Sequence, residues 1–131
     1  KLKVFTFRFS GEAAGFDDGP LQAFIAGKEI IEWLFQKTES FPKKVRFSFT
    51  GRIDNLALDI FEGIVEARFS RQKKETLRRV DLSLEKLRVL LRMSHDLRYL
   101  DHKGYEHASR MINEAGRMVG GWRKSEERRA V

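Results

Sequence analysis

The stretch "ETLRRVDLSLEKLRVLLRMSHDL", Glu75 to Leu97, carries the strongest indication of the fold. Its apolar residues recur every three or four positions, which is the period that places side chains on one face of an α-helix. The main stripe consists of Leu77, Val80, Leu84, Leu87 and Leu91, and it is broadened by Leu82, Val89, Leu90 and Leu97. A helix with so wide an apolar face packs against more than one neighbour, so the stretch predicts a helix within a bundle.

Three further helices are predicted around this one. Helical spacing of apolar residues predicts a first helix over about 20–38 and a second over about 42–69, whose first turn suits Pro42. A fourth is predicted over about 102–124, with Asp101 as its N-cap. Since the connections are short, the most economical fold is an all-α, antiparallel four-helix bundle.

The N-terminal stretch "KVFTFRF" alternates apolar and polar residues, with Phe5, Phe7 and Phe9 on one side, and predicts a β-strand. A lone strand leaves its hydrogen-bonding groups unpaired, so we expect it to contact another copy or a partner protein. The expected organisation is therefore an N-terminal strand and loop arm over residues 1–19, a bundle over 20–124 and a charged tail over 125–131.

Positive charge is concentrated in the second half of the 131-residue chain. Residues 1–70 contain ten Lys or Arg and ten Asp or Glu, whereas residues 71–131 contain 16 and nine, which accounts for the formal net charge of +7. A basic half on a compact domain favours a polyanion, most often nucleic acid, or an acidic partner protein. The alternative is a soluble, Arg-rich helical surface without such a partner.

Composition restricts the remaining classes of function. The chain has no cysteine, which excludes disulfides, thiolate catalysis and Cys-containing zinc sites. It has no apolar run long enough to span a membrane and no signal-peptide pattern, so we expect a cytoplasmic protein that does not enter a membrane.

Catalytic and metal-binding constellations are not evident in the sequence. His102 and His107 are five residues apart, which is not the step that places two metal ligands on one helix face, and solvated or structural roles are favoured for His95 as well. No Glu-x-x-His motif, phosphate loop or recognisable nucleophile occurs. We therefore expect no enzyme activity, no catalytic residue, no metal and no cofactor.

Basic residues of the third and fourth helices are the candidate binding residues. Several guanidinium and ammonium groups on one rim would bind phosphates without base specificity and in a salt-dependent way. Pairs such as Glu85 with Arg88 or Glu114 with Arg117 would partly cancel that charge. The candidates are Arg71, Lys74, Arg78, Arg79, Lys86, Arg88, Arg92, Arg117, Arg123 and Lys124.

Three glycines interrupt the fourth helix in "MINEAGRMVGGW", residues 111–122. Each costs about 1 kcal/mol relative to alanine inside a helix. Gly116 and Gly120 lie on one helix face beside Gly121, so they are expected to let another helix backbone approach closely, with Trp122 closing the strip. Helix packing is favoured over direct ligand contact for these residues.

Two stretches carry a resemblance to a known family. The segment "SFPKKVRFSFTGRIDNLALDIFEGIVEA", Ser40 to Ala67, is similar to the second helix of the four-helix-bundle family that includes proteins of ribosomal RNA intervening sequences. The segment Leu84 to Lys124, with "KGYEHA" and "NEAGRMVGGW", resembles the accessory variability determinants, Avd, of diversity-generating retroelements. Together these segments lie within residues 40–124.

This resemblance implies a homopentameric barrel of four-helix bundles with a basic surface. It implies a non-catalytic accessory protein that binds the retroelement's reverse transcriptase, its template RNA and the cDNA, in support of mutagenic reverse transcription. The alternative is a structural homo-oligomer of the intervening-sequence type that binds no nucleic acid. The opening residues 1–29 depart from the family pattern, which leaves the form of the assembly open.

Overall fold

Four long α-helices make up most of the computed structural model, which describes residues 19–130. They are α1 (Gly19–Thr38), α2 (Gly51–Phe69), α3 (Lys73–Asp96) and α4 (His102–Ala130). The predicted strand and most of the predicted N-terminal arm lie outside the described residues. No β-strand occurs within residues 19–130, so the described part of the chain is all-helical, as the apolar periodicity predicted.

The helices form a closed ring in which each one packs on two others. Consecutive helices lie side by side, and α1 also packs against α4. Because consecutive helices are joined by short connections, neighbours run antiparallel. This arrangement confirms the predicted four-helix bundle, and it places the turn between α2 and α3 at the same end as the C-terminus of α4.

The core lies along the axis of this ring. All five residues of the main α3 stripe are buried, as predicted. The prediction that Leu82, Val89 and Leu97 broaden this stripe is wrong, because the side chains of all three are exposed. Facing them are isoleucines of α1 and α2, while α4 contributes smaller residues and one large indole. These facing side chains are Ile30, Ile53, Ile60, Ile64, Ala108, Ile112, Ala115, Val119 and Trp122.

The start of the second helical segment is not regular α-helix. A 3₁₀ turn at Lys43–Val45 leads into a π-helical turn at Arg46–Thr50, and α2 follows. The wide turn is seen at Gly51, whose N–H donates to the carbonyls of Arg46 and Ser48. The predicted second helix therefore has the expected extent but not the expected local geometry, since apolar spacing does not separate these hydrogen-bonding patterns over two turns.

The fourth helix continues beyond Lys124, so residues 125–130 of the predicted tail are helical. The indole N–H of Trp122 donates to Glu126 Oε2 at 3.3 Å, and Arg129 Nη1 lies 3.5 Å from the same oxygen. These polar contacts between successive turns extend the helix although "SEERRAV" has no apolar face.

Candidate functional site

A group of basic side chains surrounds the turn between α2 and α3, and we call it the basic end. It borders an open cavity of about 730 Å³ that also contacts the last turns of α4. The cations around the cavity outnumber the carboxylates Glu75 and Glu126. The basic end consists of Arg71, Lys73, Lys74, Arg78 and Arg129.

Two adjacent lysines of the basic end have different surroundings. Lys73 Nζ donates to the backbone carbonyls of Ala67, Arg68 and Ser70 at 2.9–3.0 Å, so its ammonium caps the C-terminus of α2. Lys74 is exposed and makes no ion pair with the described residues. The capping role makes Lys73 structural and leaves Lys74 to face solvent.

Most of the predicted binding arginines hold acidic partners on the protein itself. Bonds within one helix join Arg78 to Glu75 at 2.8 Å, Arg92 to Asp96 at 3.3 Å, and Arg117 to Glu114. Hydrogen bonding to Tyr105, together with Asp96, raises the pKa of Arg92. These pairs are exposed, so they reduce the local charge without fixing the side chains strongly.

Two α3 arginines bridge to the neighbouring helices on opposite sides. Arg79 lies 2.9 Å from Glu66 on α2, and Arg88 donates to Asn113 on α4 while also contacting Glu85. The predicted basic residues of α3 therefore form two rows rather than one rim. One row faces α2 and the other faces α4.

Arg123 is held more firmly than the other predicted arginines. Its guanidinium lies 2.7 Å from Asp81 of α3, and both side chains are less than one third exposed. Burial raises the pKa of the Asp81 carboxyl above its usual value. The positive charge of Arg123 offsets part of this rise, and the negative charge of Glu85 adds to it. The Arg123 guanidinium therefore ties α4 to α3, a structural contact that its sequence position did not indicate.

Four predicted cations make no ion pair among residues 19–130, and they do not all lie together. Arg71 and Lys74 belong to the basic end, and Lys124 lies on α4 beyond Arg123. Lys86 borders the outer groove between α2 and α3. Of the predicted set, the structure gathers Arg71, Lys74 and Arg78 into one site and distributes the others along α3 and α4.

The three glycines of α4 face open space within this chain. A Cβ added at Gly116, Gly120 or Gly121 would meet no atom within 4 Å outside its own helix, among the described residues. Trp122 is buried on the other side of α4. The close helix approach predicted for the glycines therefore stays a prediction, and its partner would have to come from outside residues 19–130 of the same chain.

The histidines make aromatic contacts. His107 packs on Trp33 with 4.8 Å between ring centroids, and His95 stacks on Tyr105 at 4.9 Å. Across residues 19–130, no cluster of three or more metal-ligating side chains is present. Nor does any helix in that range have the length and apolar character required to cross a bilayer.

Sequence reasoning missed two members of the basic end. Lys73 belongs to the charged run "RQKK" at 71–74, but only the structure shows that it caps a helix. Arg129 reaches the cavity because α4 extends into the predicted tail. The run of charges could have identified Lys73 as a member of the basic end. Arg129 was missed because the sequence did not predict that α4 extends that far.

Fold and surface together define a class: all-helical bundle proteins with a cationic end. Comparison with known families agrees, because a family model described as bAvd-like matches residues 22–126. The chain belongs to this bAvd-like family, as its resemblance to the accessory variability determinants of diversity-generating retroelements predicted. No curated protein matches the chain.

Proposed function

We propose that this protein is a non-catalytic accessory factor of a diversity-generating retroelement. In this role it binds the reverse transcriptase together with the template RNA or cDNA, and it supports mutagenic reverse transcription. The proposal combines membership of the bAvd-like family with the cationic character of the basic end. The polymerase chemistry belongs to the reverse transcriptase.

The observation that carries the binding proposal is the pair of unpaired cations at the basic end. Arg71 and Lys74 make no ion pair with the described residues and stand beside a cavity open to solvent. A cation with no internal partner gives up no protein contact when it binds a phosphate. Binding through such groups releases counterions and depends steeply on salt concentration.

The test removes these two charges without touching the core. The variant Arg71→Gln with Lys74→Gln is compared with Lys103→Gln with Arg110→Gln, which removes the same charge from exposed positions of α4. Binding to template RNA is measured at several salt concentrations, and copurification with the cognate reverse transcriptase is measured in parallel.

We expect the first variant to bind RNA more weakly, with a plot of log affinity against log salt shallower by about 1 to 1.5. The α4 control should keep the slope of the unsubstituted protein. Equal losses in both variants would mean that only net charge matters. If the unsubstituted protein bound neither RNA nor the reverse transcriptase at low salt, the proposal would be wrong.

Self-association is the second candidate function, and exposed apolar residues of α3 favour it. Leu82 is 55% exposed and Val89 61% exposed, and Met93 and Leu97 continue the same stripe. Stripes of this kind on a helix surface mark contacts with another protein. We propose that the contact is with further copies of this chain, assembled as the homopentamer that the family resemblance implies. A structural oligomer without nucleic-acid binding would use the same stripe.

A further inference from the structure

The turn between α3 and α4 contains a strained residue. Arg98 has a φ of 68°, and it is the one non-glycine residue with positive φ among residues 19–130. Its N–H donates to the carbonyl of His95 at 3.0 Å, and the N–H of Tyr99 donates to Ser94 at 2.8 Å. These two bonds define a Schellman motif, in which the left-handed position is usually glycine. The chain thus keeps a large cationic side chain where glycine would be less strained.

The strained turn borders a cavity of about 450 Å³, which we call the turn pocket. The lining comes from several segments: α1 contributes Lys37, the turn after α1 contributes Ser40, α3 contributes His95, α4 contributes His102, and the turn between α3 and α4 contributes the remainder. Neither Lys37 nor Arg98 makes an ion pair within the described part of the chain, although Lys37 Nζ lies 5.7 Å from the centroid of the Trp33 ring. The turn residues at the pocket are Arg98, Tyr99, Leu100 and Asp101.

A glycine allows Lys37 to reach the turn pocket. A Cβ at Gly104 would lie 2.9 Å from Lys37 Cε and 2.8 Å from Leu100 Cδ1. The stem of Lys37 therefore crosses close to the first turn of α4 at Gly104, where a larger side chain would displace it. Asp101 is the carboxylate at the pocket, and its Oδ1 accepts the N–H of Gly104 at 2.7 Å, so one of its oxygens is already engaged in capping α4.

His95, which lines the pocket, has a buried polar atom without a hydrogen bond. Nδ1 of His95 has no hydrogen-bond partner, and the nearest acidic oxygen, on Asp96, is 3.8 Å away. Buried polar atoms are normally hydrogen-bonded, so an unpaired one on a residue that lines a cavity indicates a place for a further partner. An imidazole nitrogen carrying a proton donates to an oxygen acceptor.

We propose that the turn pocket binds a phosphoryl group. Arg98 would supply a planar fork of donors, Lys37 a compact charge and His95 a further donor. His102 Nε2 already lies 3.4 Å from Glu106 Oε2, so His102 is not assigned to the ligand. Retention of arginine at a left-handed position is explained if its guanidinium is needed there. The turn pocket lies at the opposite end of α3 from the basic end, about 35 Å away along a 24-residue helix. It therefore goes beyond the proposed function and does not depend on it.

The experiment separates the charge of Arg98 from the shape of the turn. In Arg98→Asn the new residue tolerates left-handed backbone and lacks the charge, and in Lys37→Gln the ammonium is lost while the turn is unchanged. Inorganic phosphate is titrated into each protein at constant ionic strength, and the backbone amide signals of Tyr99 and Gly104 are followed by NMR. Arg110→Gln is the control, since it removes an exposed charge from α4.

Phosphate should shift these signals saturably in the unsubstituted protein and in Arg110→Gln. Arg98→Asn and Lys37→Gln should each weaken binding about tenfold, the size expected for loss of a charge-assisted hydrogen bond. Arg98→Gly should keep or raise the thermal midpoint and also lose binding, which rules out misfolding as the cause. No saturable shift in the unsubstituted protein, or full binding by Arg98→Asn, would overturn the proposal.

Two sources of the phosphoryl group are distinguished by short single-stranded RNAs with and without a 5′-phosphate. Binding of both at the turn pocket assigns a phosphodiester, and binding of the phosphorylated strand alone assigns a terminal phosphate. Removal of Arg71 and Lys74 at the basic end should leave phosphate binding here unchanged. The proposal for the turn pocket and the proposal for the basic end can therefore be confirmed or contradicted independently.

Discussion

Glycines of this protein serve opposite purposes because their neighbours differ. A Cβ at Gly63 on α2 would lie 2.5 Å from Val80 Cγ2, a buried methyl group of α3. A Cβ at Gly121 on α4 would meet nothing within 4 Å beyond its own helix among the described residues. The first glycine allows two helices to approach closely, whereas the second only weakens its helix within the single chain.

This contrast predicts opposite effects of the same substitution. Gly121→Ala should raise the free energy of unfolding by about 0.5–1 kcal/mol, because alanine restricts the unfolded chain and favours helix. Gly63→Ala should lower it by about 1 kcal/mol, because overpacking against Val80 exceeds that gain. Urea unfolding followed by circular dichroism measures both. Stabilisation by Gly63→Ala would show that α2 and α3 separate without cost.

For some single residues, the sequence predicts a position on a helix but not what the residue contacts or which backbone conformation it adopts. The spacing of Gly116 and Gly120 places both on one face of α4, and that much was predictable. Which surface that face meets depends on the other helices, and in the described chain it meets none. In the same way the sequence gives Arg98 no distinction from its neighbours, because left-handed backbone at a helix end follows from the path of the turn.

At the scale of elements, the helices were predictable because their apolar residues keep a 3.6-residue period over many turns. The five-residue stripe on α3 identifies the helix and the centre of its buried face, whereas the predicted width of that face was wrong at Leu82, Val89 and Leu97. Helix ends were less predictable where polar contacts decide them, as between Trp122 and Glu126. The ion pair of Arg123 with Asp81 joins residues 42 positions apart, and no local pattern reveals such a contact.

The two lysines at the start of α3 give a prediction about helix ends. Lys73→Met should lower the free energy of unfolding by about 1–2 kcal/mol, because the C-terminal carbonyls of α2 lose a charged donor. Lys74→Met should change it by less than about 0.5 kcal/mol, because this side chain is exposed and unpaired within the described residues.

Thermal and urea unfolding distinguish the two variants, and RNA binding provides the complementary readout. If the proposed function holds, Lys74→Met weakens RNA binding without loss of stability. Equal stability of the two variants would mean that the three carbonyls are solvated as well by water as by the Lys73 ammonium.

The whole molecule has one feature that the closed ring of helices does not account for. On α3, the buried stripe through Leu84 and Leu91 and the exposed stripe through Leu82 and Val89 lie about 160° apart, given 3.6 residues per turn. A helix at the surface of an isolated bundle normally carries one apolar face. The second face has the character of a contact between molecules, and it lies along the outer groove between α2 and α3.

Disruption of this outer stripe should therefore dissociate the protein without unfolding it. Light scattering of the unsubstituted protein should give five times the 15.3 kDa mass of the chain, as the family resemblance implies. Leu82→Ser with Val89→Ser should give a lower mass with an unchanged helical circular dichroism spectrum, because both side chains are more than half exposed in the single chain.

Phe47→Ser is the control, since it removes a 94% exposed aromatic residue from the turn preceding α2. An unsubstituted protein that is monomeric at micromolar concentration would contradict self-association, and a double variant that keeps the full mass would place the contact on another face, where the glycines of α4 are the next candidates.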